Sequence, residues 1–511
     1  ANDPVAVSDP ADAPDSIVDF RDLKVSADGF HVGLLAQWSN VINLQGLKGE
    51  VLILVNADGS VATGTSAFKM PGVDFAIAFS PPEDHHPGRG AAIVLDASTL
   101  EKDAAESQPG GAEPAQSATP AASQPTKKQT VNPYDLKIEF APTYAADTNE
   151  IRFTRGVKVA QILNGAPLFA GKSAQFKFVF LDLDGKMKDE TDIVFATLPE
   201  FGIKIGGTYT GDRETLNRRK AVEADPLVRL KKDSLRVLAW NVEMGHIFTN
   251  PEPYARILNA VNPDVVMFEE LKDQKDSSGQ QELFVFLHNR VPPGGGWYVQ
   301  YGPGGGDLHC AVASRSSLDR VAELTTLPDP VNPKYTARTM SAVGTYQDRK
   351  ILFTAVHLKC CGNMGSSEDE ERIKESTQIH DAIVAAEKNS LTDAVIIAGD
   401  FNLVGTREPL DGIGSGIDAD GSELGVALPL HFDGESSYTW RDRYQPFLPS
   451  RLDFMLYSDS RLKVDRCFVM DTADLSAEAL KHYGLEADDS AKSSDHLPIV
   501  VDFVWNAQAQ N

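Results

Sequence analysis

The stretch AVIIAGDFN, residues 394–402, decides how this chain is read. Ala394–Ala398 is an uncharged apolar run of strand length, the texture of a strand buried on both faces. It ends on Gly399-Asp400-Phe401-Asn402, so a carboxylate and an amide sit where the strand stops. In α/β architectures the C-terminal ends of strands are where sites are built. The same pattern recurs on either side: LRVLAWN ends at Asn241, DVVMFEE at Glu270 and LFTAVH at His357, and Asp495-His496 precede PIVVDF. That recurrence makes the C-terminal half a candidate catalytic region.

Working outward, β-runs at Leu235–Trp240, Val265–Phe268, Cys310–Ser314, Ile351–Leu358, Leu452–Leu456 and Ile499–Phe503 alternate with helical patterns. Pro253–Val261 and Glu368–Glu387 are the clear helical segments, the latter placing Ile373, Ile379, Ile383 and Val384 largely on one face. This predicts an α/β or α+β domain over 233–506. Upstream the texture is all β: Phe30–Gln37, Glu50–Asn56, Asp74–Phe79 and Ala91–Leu95, then Leu136–Phe140, Glu150–Thr154, Ala174–Leu181 and Asp192–Ala196. Turn signals at Asn56-Ala57-Asp58-Gly59 and Asp182-Leu183-Asp184-Gly185 separate strands. The simplest organisation is a flexible 1–16, a β-sandwich over 17–205 carrying a low-complexity insertion at 101–130, a charged, partly helical connector over 206–232, and the second domain.

The 511 residues are 42% hydrophobic and 24% charged, with 48 Lys+Arg against 73 Asp+Glu, which excludes a wholly disordered chain. No run approaches the roughly 18 apolar residues of a membrane span, so no transmembrane segment is expected. The opening ANDPVAVSDP has neither an initiator Met nor basic and apolar signal segments, and the expectation is a secreted or periplasmic chain with its signal removed. Cys310, Cys360, Cys361 and Cys467 permit disulfides without demanding them, and their spacing fits no C-x-x-C zinc pattern.

Glu270, Asp495 and Asn241 are hard oxygen donors of the kind that suit Mg²⁺, Mn²⁺ or Ca²⁺. His496 beside a carboxylate suits a base. Singly each has a bland reading: Asn241 and Asn402 as turn caps, Glu270 as a solvated strand end, His357 as a satisfied core histidine. Together, LRVLAWNVEMG (235–245), PDVVMFEEL (263–271), FTAVHLK (353–359), IIAGDFN (396–402), SRLDFMLYS (450–458) and SSDHLPIVVDF (493–503) resemble, in order, the motifs of the endonuclease/exonuclease/phosphatase superfamily, which includes deoxyribonuclease I, abasic-site endonucleases, neutral sphingomyelinases and inositol-phosphate phosphatases.

The resemblance implies an α/β four-layer sandwich, two mixed β-sheets flanked by helices, preceded here by an all-β sandwich domain. It implies a metal-dependent phosphoric ester hydrolase in which Glu270 is the principal metal ligand, with Asn241 and Asp495 completing the oxygen shell directly or through water. The metal is expected to be Mg²⁺, with Mn²⁺ or Ca²⁺ as alternatives, acting as a Lewis acid. His496 is then the general base or a phosphate-contacting imidazole, with Asp453 accepting its other N–H. Asp400 and Asn402 position the nucleophile, and His357 is a second donor or the acid for the leaving group. Abasic endonucleases share Tyr at the His357 position, whereas deoxyribonuclease I and sphingomyelinases have His, so the leaning is toward secreted phosphodiesterases. Two features depart from the pattern: Glu269 stands where the family has Gln, and HLKCCGN is atypical. A disulfide from Cys360 or Cys361 to Cys310 or Cys467 would rigidify that rim.

Other signals are weaker. PPGGGWYVQYGPGGGD (292–307) lacks the Gly-Lys-Ser/Thr of a P-loop and reads as two loops around a strand. Asp418-x-Asp420-Gly421 and Asp182-x-Asp184-Gly185 lack the Glu of an EF-hand and read as tight turns. Asp307 and His309 are rim residues at most, and Trp440 and Arg451 read as packing or strand-edge residues. From Pro226 onward there are 27 basic and 42 acidic residues and no basic run, which argues against an abasic-type repair enzyme, although a local patch keeps nucleic acid among the possible partners. The N-terminal β-region weakly resembles carbohydrate-binding or DOMON-like modules, implying a glycan or surface contact. The competing functions are a phosphodiesterase, a phosphomonoesterase or phosphotriesterase on the same site, a secreted nuclease, and a non-catalytic surface- or glycan-binding protein.

Overall fold

The computed structural model describes residues 5–9, 13, 16–82, 89–101, 130–202, 221–222, 224–273, 278–291, 296–388 and 392–506. The low-complexity insertion lies almost wholly outside the described residues, as does most of the 206–232 segment. The chain divides into two units. Ala1–Tyr209 with Arg441–Pro449 forms one, and Thr210–Trp440 with Ser450–Asn511 forms the other. The first unit therefore includes a nine-residue segment from late in the sequence.

Among its described residues the first unit is all β apart from short 3₁₀ turns and a turn of helix, with a five-stranded sheet, a seven-stranded sheet and a small hairpin of Thr65–Ala67 with Met70–Val73. Alternation of buried and exposed residues along Phe20–Ala27 and His31–Ile42 marks strands with one wet face. Glu50–Asn56 and Phe75–Phe79 are instead buried throughout. The reason is a core on each side: Val51, Ile53, Phe176 and Phe178 face Leu23, Val32 and Leu34 of the other sheet, while Leu52, Leu54, Ala76 and Val179 pack under Phe68, Met70 and Leu100. The Asp182-to-Gly185 turn joins Ser173–Leu181 to Met187–Glu190, as its sequence predicts.

The second unit is an α/β four-layer sandwich. Its first sheet runs Tyr298–Tyr301, Leu308–Ser314, Val265–Lys272, Leu235–Asn241, Ile499–Trp505, Leu462–Val469. The second runs Leu318–Arg320, Thr339–Tyr346, Arg349–His357, Ala394–Asp400, Asp453–Tyr457, Gly425–Val426. Each sheet is mixed, with one parallel pair at its centre: Leu235–Asn241 with Val265–Lys272, and Arg349–His357 with Ala394–Asp400. Val237, Ala239, Met267, Ile499 and Val501 meet Ala342, Phe353, Ala355, Ile396 and Ala398 between the sheets. Helices Pro251–Val261 and Gly279–Arg290 cover the outer face of the first sheet through Tyr254, Ile257, Leu258, Leu283 and Leu287.

Helix Ser367–Glu387 packs against Ala322–Thr325 and Glu408–Gly414, and its inner face is not the apolar one its spacing suggests. Ile379 and Ile383 are buried, whereas Ile373 and Val384 are only partly so. The first three turns bury Asp369, Arg372 and Glu375 instead. These charged groups bond loop backbone: Arg372 Nη1 donates to the carbonyls of Lys359 and Cys361, Glu375 accepts from Lys359 N–H, and Asp369 accepts from the N–H of Gly365 and Thr406. The helix thus organises the loops beside it.

Candidate active site

The register of the two parallel pairs sets the site. Asn241 lies opposite Glu269 in one sheet; in the other, His357 lies opposite Asp400, which lies opposite Asp453 on its far side. The apolar residues behind them fix the strands, so these polar ends are brought together at one end of the sandwich. A break in pairing between Phe268 and Leu271 goes with a left-handed Glu270, φ 56°. That bulge separates two consecutive carboxylates, turning Glu270 toward the site and leaving Glu269 fully buried beneath it.

All eight predicted site residues converge. Asn241 Nδ2 donates to Glu270 Oε1 at 3.0 Å and to Asp400 Oδ2 at 3.1 Å, while its Oδ1 accepts from Glu243 N–H. In this rotamer Asn241 offers its amide, rather than its oxygen, to the carboxylates. Glu270 Oε2 accepts from Met244 N–H at 2.9 Å. His357 Nε2 lies 3.5 Å from Glu270 and 3.8 Å from Asp400. Asn402, left-handed at φ 49°, folds back so that its N–H and Nδ2 donate to Asp400 while Nδ2 also donates to Leu358 O. His496 Nδ1 pairs with Asp453 Oδ2 at 2.9 Å and its Nε2 lies 3.6 Å from Asp400. Asp495 Oδ2 accepts from Trp440 Nε1 at 2.9 Å.

Electrostatics divide the two histidines. Burial works against a charge on His496, but Asp453, Asp400 and Asp495 outweigh it, and its pKa lies well above the ordinary imidazole value. Burial, with the cations Arg338 and His496 nearby, holds His357 well below that value and therefore neutral. Burial, reinforced by Asp453 and Glu270 and opposed by His496, pushes Asp400 up to about 8. Glu269 is fully buried: burial first, then Asp453 and Asp400, hold its carboxyl well above the usual range, and neither of its oxygens has a hydrogen-bond partner.

Such a donor set fits a divalent cation. Glu270, Asp400, Asp453 and Asp495 are crowded together, yet among the described residues no Lys or Arg forms an ion pair with any of them. Crowded carboxylates without basic partners are stabilised by a hard cation that takes oxygen ligands.

Several contributors were not legible in the sequence. Trp440, read as packing, holds Asp495, and its backbone also bridges to His496. Glu243 accepts from Asp495 N–H. Ser494 Oγ donates to Asn241 O and accepts from His496 N–H, tying the first and last motifs together. Thr439 Oγ1 accepts from Asp453 N–H. Arg338 adds the positive charge felt at His357. Glu243 and Ser494 lie inside the 235–245 and 493–503 motifs without a residue type that signals their roles, and Trp440, Thr439 and Arg338 lie outside every motif. Asp307 pairs with Lys272 and the buried His309 bonds Gly302 O, contacts that lie outside the carboxylate cluster. Arg451 stacks on Phe454 and donates to Ala427 O, a packing role. The Asp418 loop is a tight turn whose carboxylate accepts from Ser460. The four cysteines are free.

With this geometry in place, comparison with known proteins gives the class. The profile of the Endonuclease/Exonuclease/phosphatase family matches residues 238–496, about half of the chain. The chain belongs to this family, and is a phosphoric ester hydrolase of the nuclease and phosphatase type. Similar solved structures include humanized D. rerio TDP2 carrying 14 mutations, at 19% identity over 53% of this chain and 100% of that one, TM-score 0.35. The human Nocturnin catalytic domain with bound sulfate shows 18% identity over 54% and 96%, TM-score 0.36. The Neisseria 3' phosphatase NExo bound to product DNA hairpin shows 18% identity over 53% and 100%, TM-score 0.35. No curated protein matches significantly. Among the described residues no helix is long and apolar enough to cross a membrane.

Proposed function

We propose that the second unit hydrolyses phosphodiesters by in-line attack of a water molecule activated by His496, with a divalent metal, Mg²⁺ or in its place Mn²⁺ or Ca²⁺, held by Glu270 and Asp495. The observation that carries this reading is the cluster of four carboxylates, Asp400 and Asp453 buried and Glu270 and Asp495 half-buried, without Lys or Arg partners around a His–Asp pair. Bound there, a divalent metal supplies Lewis-acid polarisation of a phosphoryl oxygen. Asn241 keeps the Glu270 carboxylate in place through Nδ2, and turned over it would offer its oxygen as a further ligand to a bound cation. Asp453 commits Nδ1 of His496, so Nε2 alone faces the reacting water. Asp453 and Asp495 hold a proton on His496 at rest, so it takes the water's proton only after shedding its own, a loss that the charge of a cation held by Glu270 and Asp495 would favour. His357, kept neutral, is placed to donate a hydrogen bond to a phosphoryl oxygen. Asp400, its pKa pushed up to about 8, retains a proton near neutrality and, braced by Asn402, suits the leaving alcohol.

The acidic balance from Pro226 onward favours a small diester over a nucleic-acid polymer. The test is hydrolysis of bis-p-nitrophenyl phosphate, p-nitrophenyl phosphate and plasmid DNA side by side, with Mg²⁺, Mn²⁺ or Ca²⁺ and with EDTA. The expected result is diester cleavage that EDTA abolishes. Preferential monoester cleavage would move the substrate class to phosphomonoesters, nicking of plasmid would move it to nucleic acid, and cleavage unaffected by EDTA would overturn the metal-dependent reading.

A further inference from the structure

The turn that follows the His357 strand carries two adjacent cysteines, Cys360 and Cys361, both exposed and both free. Their sulfur atoms lie 2.7 Å apart. We propose that Cys360 and Cys361 form a dithiol site that a small-molecule disulfide converts, reversibly, to a disulfide between the two neighbours.

The turn is built to keep the sulfurs together without their help. Arg372 is fully buried, and its Nη1 donates to Lys359 O at 2.8 Å and to Cys361 O at 2.7 Å, so one guanidinium grips the backbone on both sides of Cys360. Glu375, also buried, accepts from Lys359 N–H at 2.7 Å. Cys361 is left-handed at φ 72° and Gly362 follows at φ 75°. A side chain at Gly362 would meet Ser366 Oγ at 2.3 Å, so the sharp reversal needs a glycine there. The remaining cysteines are occupied elsewhere: Cys310 is buried with Sγ on Arg338 O, and Cys467 packs against the core between the sheets.

The chemistry follows from the neighbours. The hydrogen bond from Cys360, opposed by burial and aided by the Arg372 and Lys359 charges, brings the Cys361 thiol down to about 7, whereas Cys360 is raised. The thiolate is the nucleophile in exchange reactions. Cys361 sulfur therefore attacks one sulfur of the external disulfide, whose S–S bond breaks and releases one thiol. Cys360 then gives up its proton and attacks Cys361 sulfur, expelling the second thiol. Two protein thiols become one disulfide while one external disulfide becomes two thiols, so electrons and hydrogens balance. Adjacent Cα atoms are about 3.8 Å apart, shorter than the roughly 4.4–6.8 Å usual across a disulfide. The ring is accordingly strained, and strained, exposed disulfides are the ones that small thiols reopen.

The experiment treats the intact protein with oxidised and then reduced glutathione, blocks remaining thiols with N-ethylmaleimide and maps peptides by mass spectrometry. The expected oxidised peptide spanning Cys360 and Cys361 is lighter by two hydrogens, carries no maleimide, and regains two maleimide-reactive thiols on reduction. Cys360→Ser, with an unchanged melting curve, should instead accumulate a glutathione adduct on Cys361. Separate adducts on each wild-type cysteine, a cross-link to Cys310 or Cys467, or two thiols that stay maleimide-reactive would overturn the proposal. An unreactive Cys361 in Cys360→Ser would overturn its role as the attacking sulfur.

Discussion

Glu269 and Glu270 are consecutive in the chain, yet the bulge at Glu270 gives them separate tasks: one carboxyl is sealed beneath the site, the other opens into it. Around Glu270 the decisive groups are those that fix orientation, since phosphoryl transfer depends mostly on placement and charge. His496→Ala should lower diester turnover about 10²–10⁴-fold with the melting temperature little changed, checked by steady-state kinetics and calorimetry. Trp440→Phe keeps an aromatic ring, though a smaller one, and removes the indole N–H that donates to Asp495. It is expected to weaken metal affinity or turnover about 10–100-fold, read from activity against metal concentration. The sequence displayed Asn241, Glu270, His357, Asp400, Asn402, Asp453, Asp495 and His496 because each ends an apolar strand or sits in a motif. It hid Trp440, Ser494 and Thr439 because their roles arise from hydrogen bonds across loops, which residue type and spacing do not encode.

Strands carry the site, and their fit to one another limits what they tolerate. A Cβ on Gly399 would lie 2.1 Å from Val356 O and 2.8 Å from Glu269 Oε1, one register position from the His357–Asp400 pair. Gly399→Ala should therefore cost about 1–3 kcal/mol of stability. By shifting Asp400 against His357 it should also cost roughly 100-fold in turnover; denaturant melts and kinetics on the same preparation check both. In the first unit, Asp74 precedes Phe75–Phe79, with Oδ2 accepting from Ala57 N–H at 2.7 Å and Oδ1 unpartnered. Burial, only partly offset by that N–H, raises its pKa from 3.8 to about 6. A raised carboxyl favours folding below its unfolded pKa and loses that contribution as pH rises through the folded one. Stability should thus fall between about pH 4 and 6 by up to about 3 kcal/mol from this group, and Asp74→Asn should flatten that slope in urea melts. Strand positions were readable because continuous apolar runs report burial on both faces. The inner face of Ser367–Glu387 was not, because Asp369, Arg372 and Glu375 are buried for loop backbone rather than for apolar contact.

At the scale of the molecule, the two textures of the sequence correspond to an all-β unit and an α/β unit, and the return of Arg441–Pro449 to the first unit had no sequence signal. Within the second unit the first and last strands are locked by a buried bidentate pair, Arg236 Nε to Asp502 Oδ1 at 2.6 Å and Nη2 to Oδ2 at 2.7 Å. Arg236 Nη1 also donates to Leu227 O and Val261 O. Arg236→Ala leaves a buried carboxylate uncompensated and should destabilise the unit by about 3–5 kcal/mol, measured by chemical denaturation. The central claim is that the carboxylate cluster around His496 is a metal-dependent phosphodiesterase site. Its most direct test is the turnover of bis-p-nitrophenyl phosphate by wild type and Glu270→Gln across a Mg²⁺ titration from an EDTA-treated start. Saturable activation of the wild type, with Glu270→Gln slower by roughly 10²-fold or more and requiring more metal, is the predicted result. Equal turnover by the two proteins, or full activity before any metal is added, would contradict it.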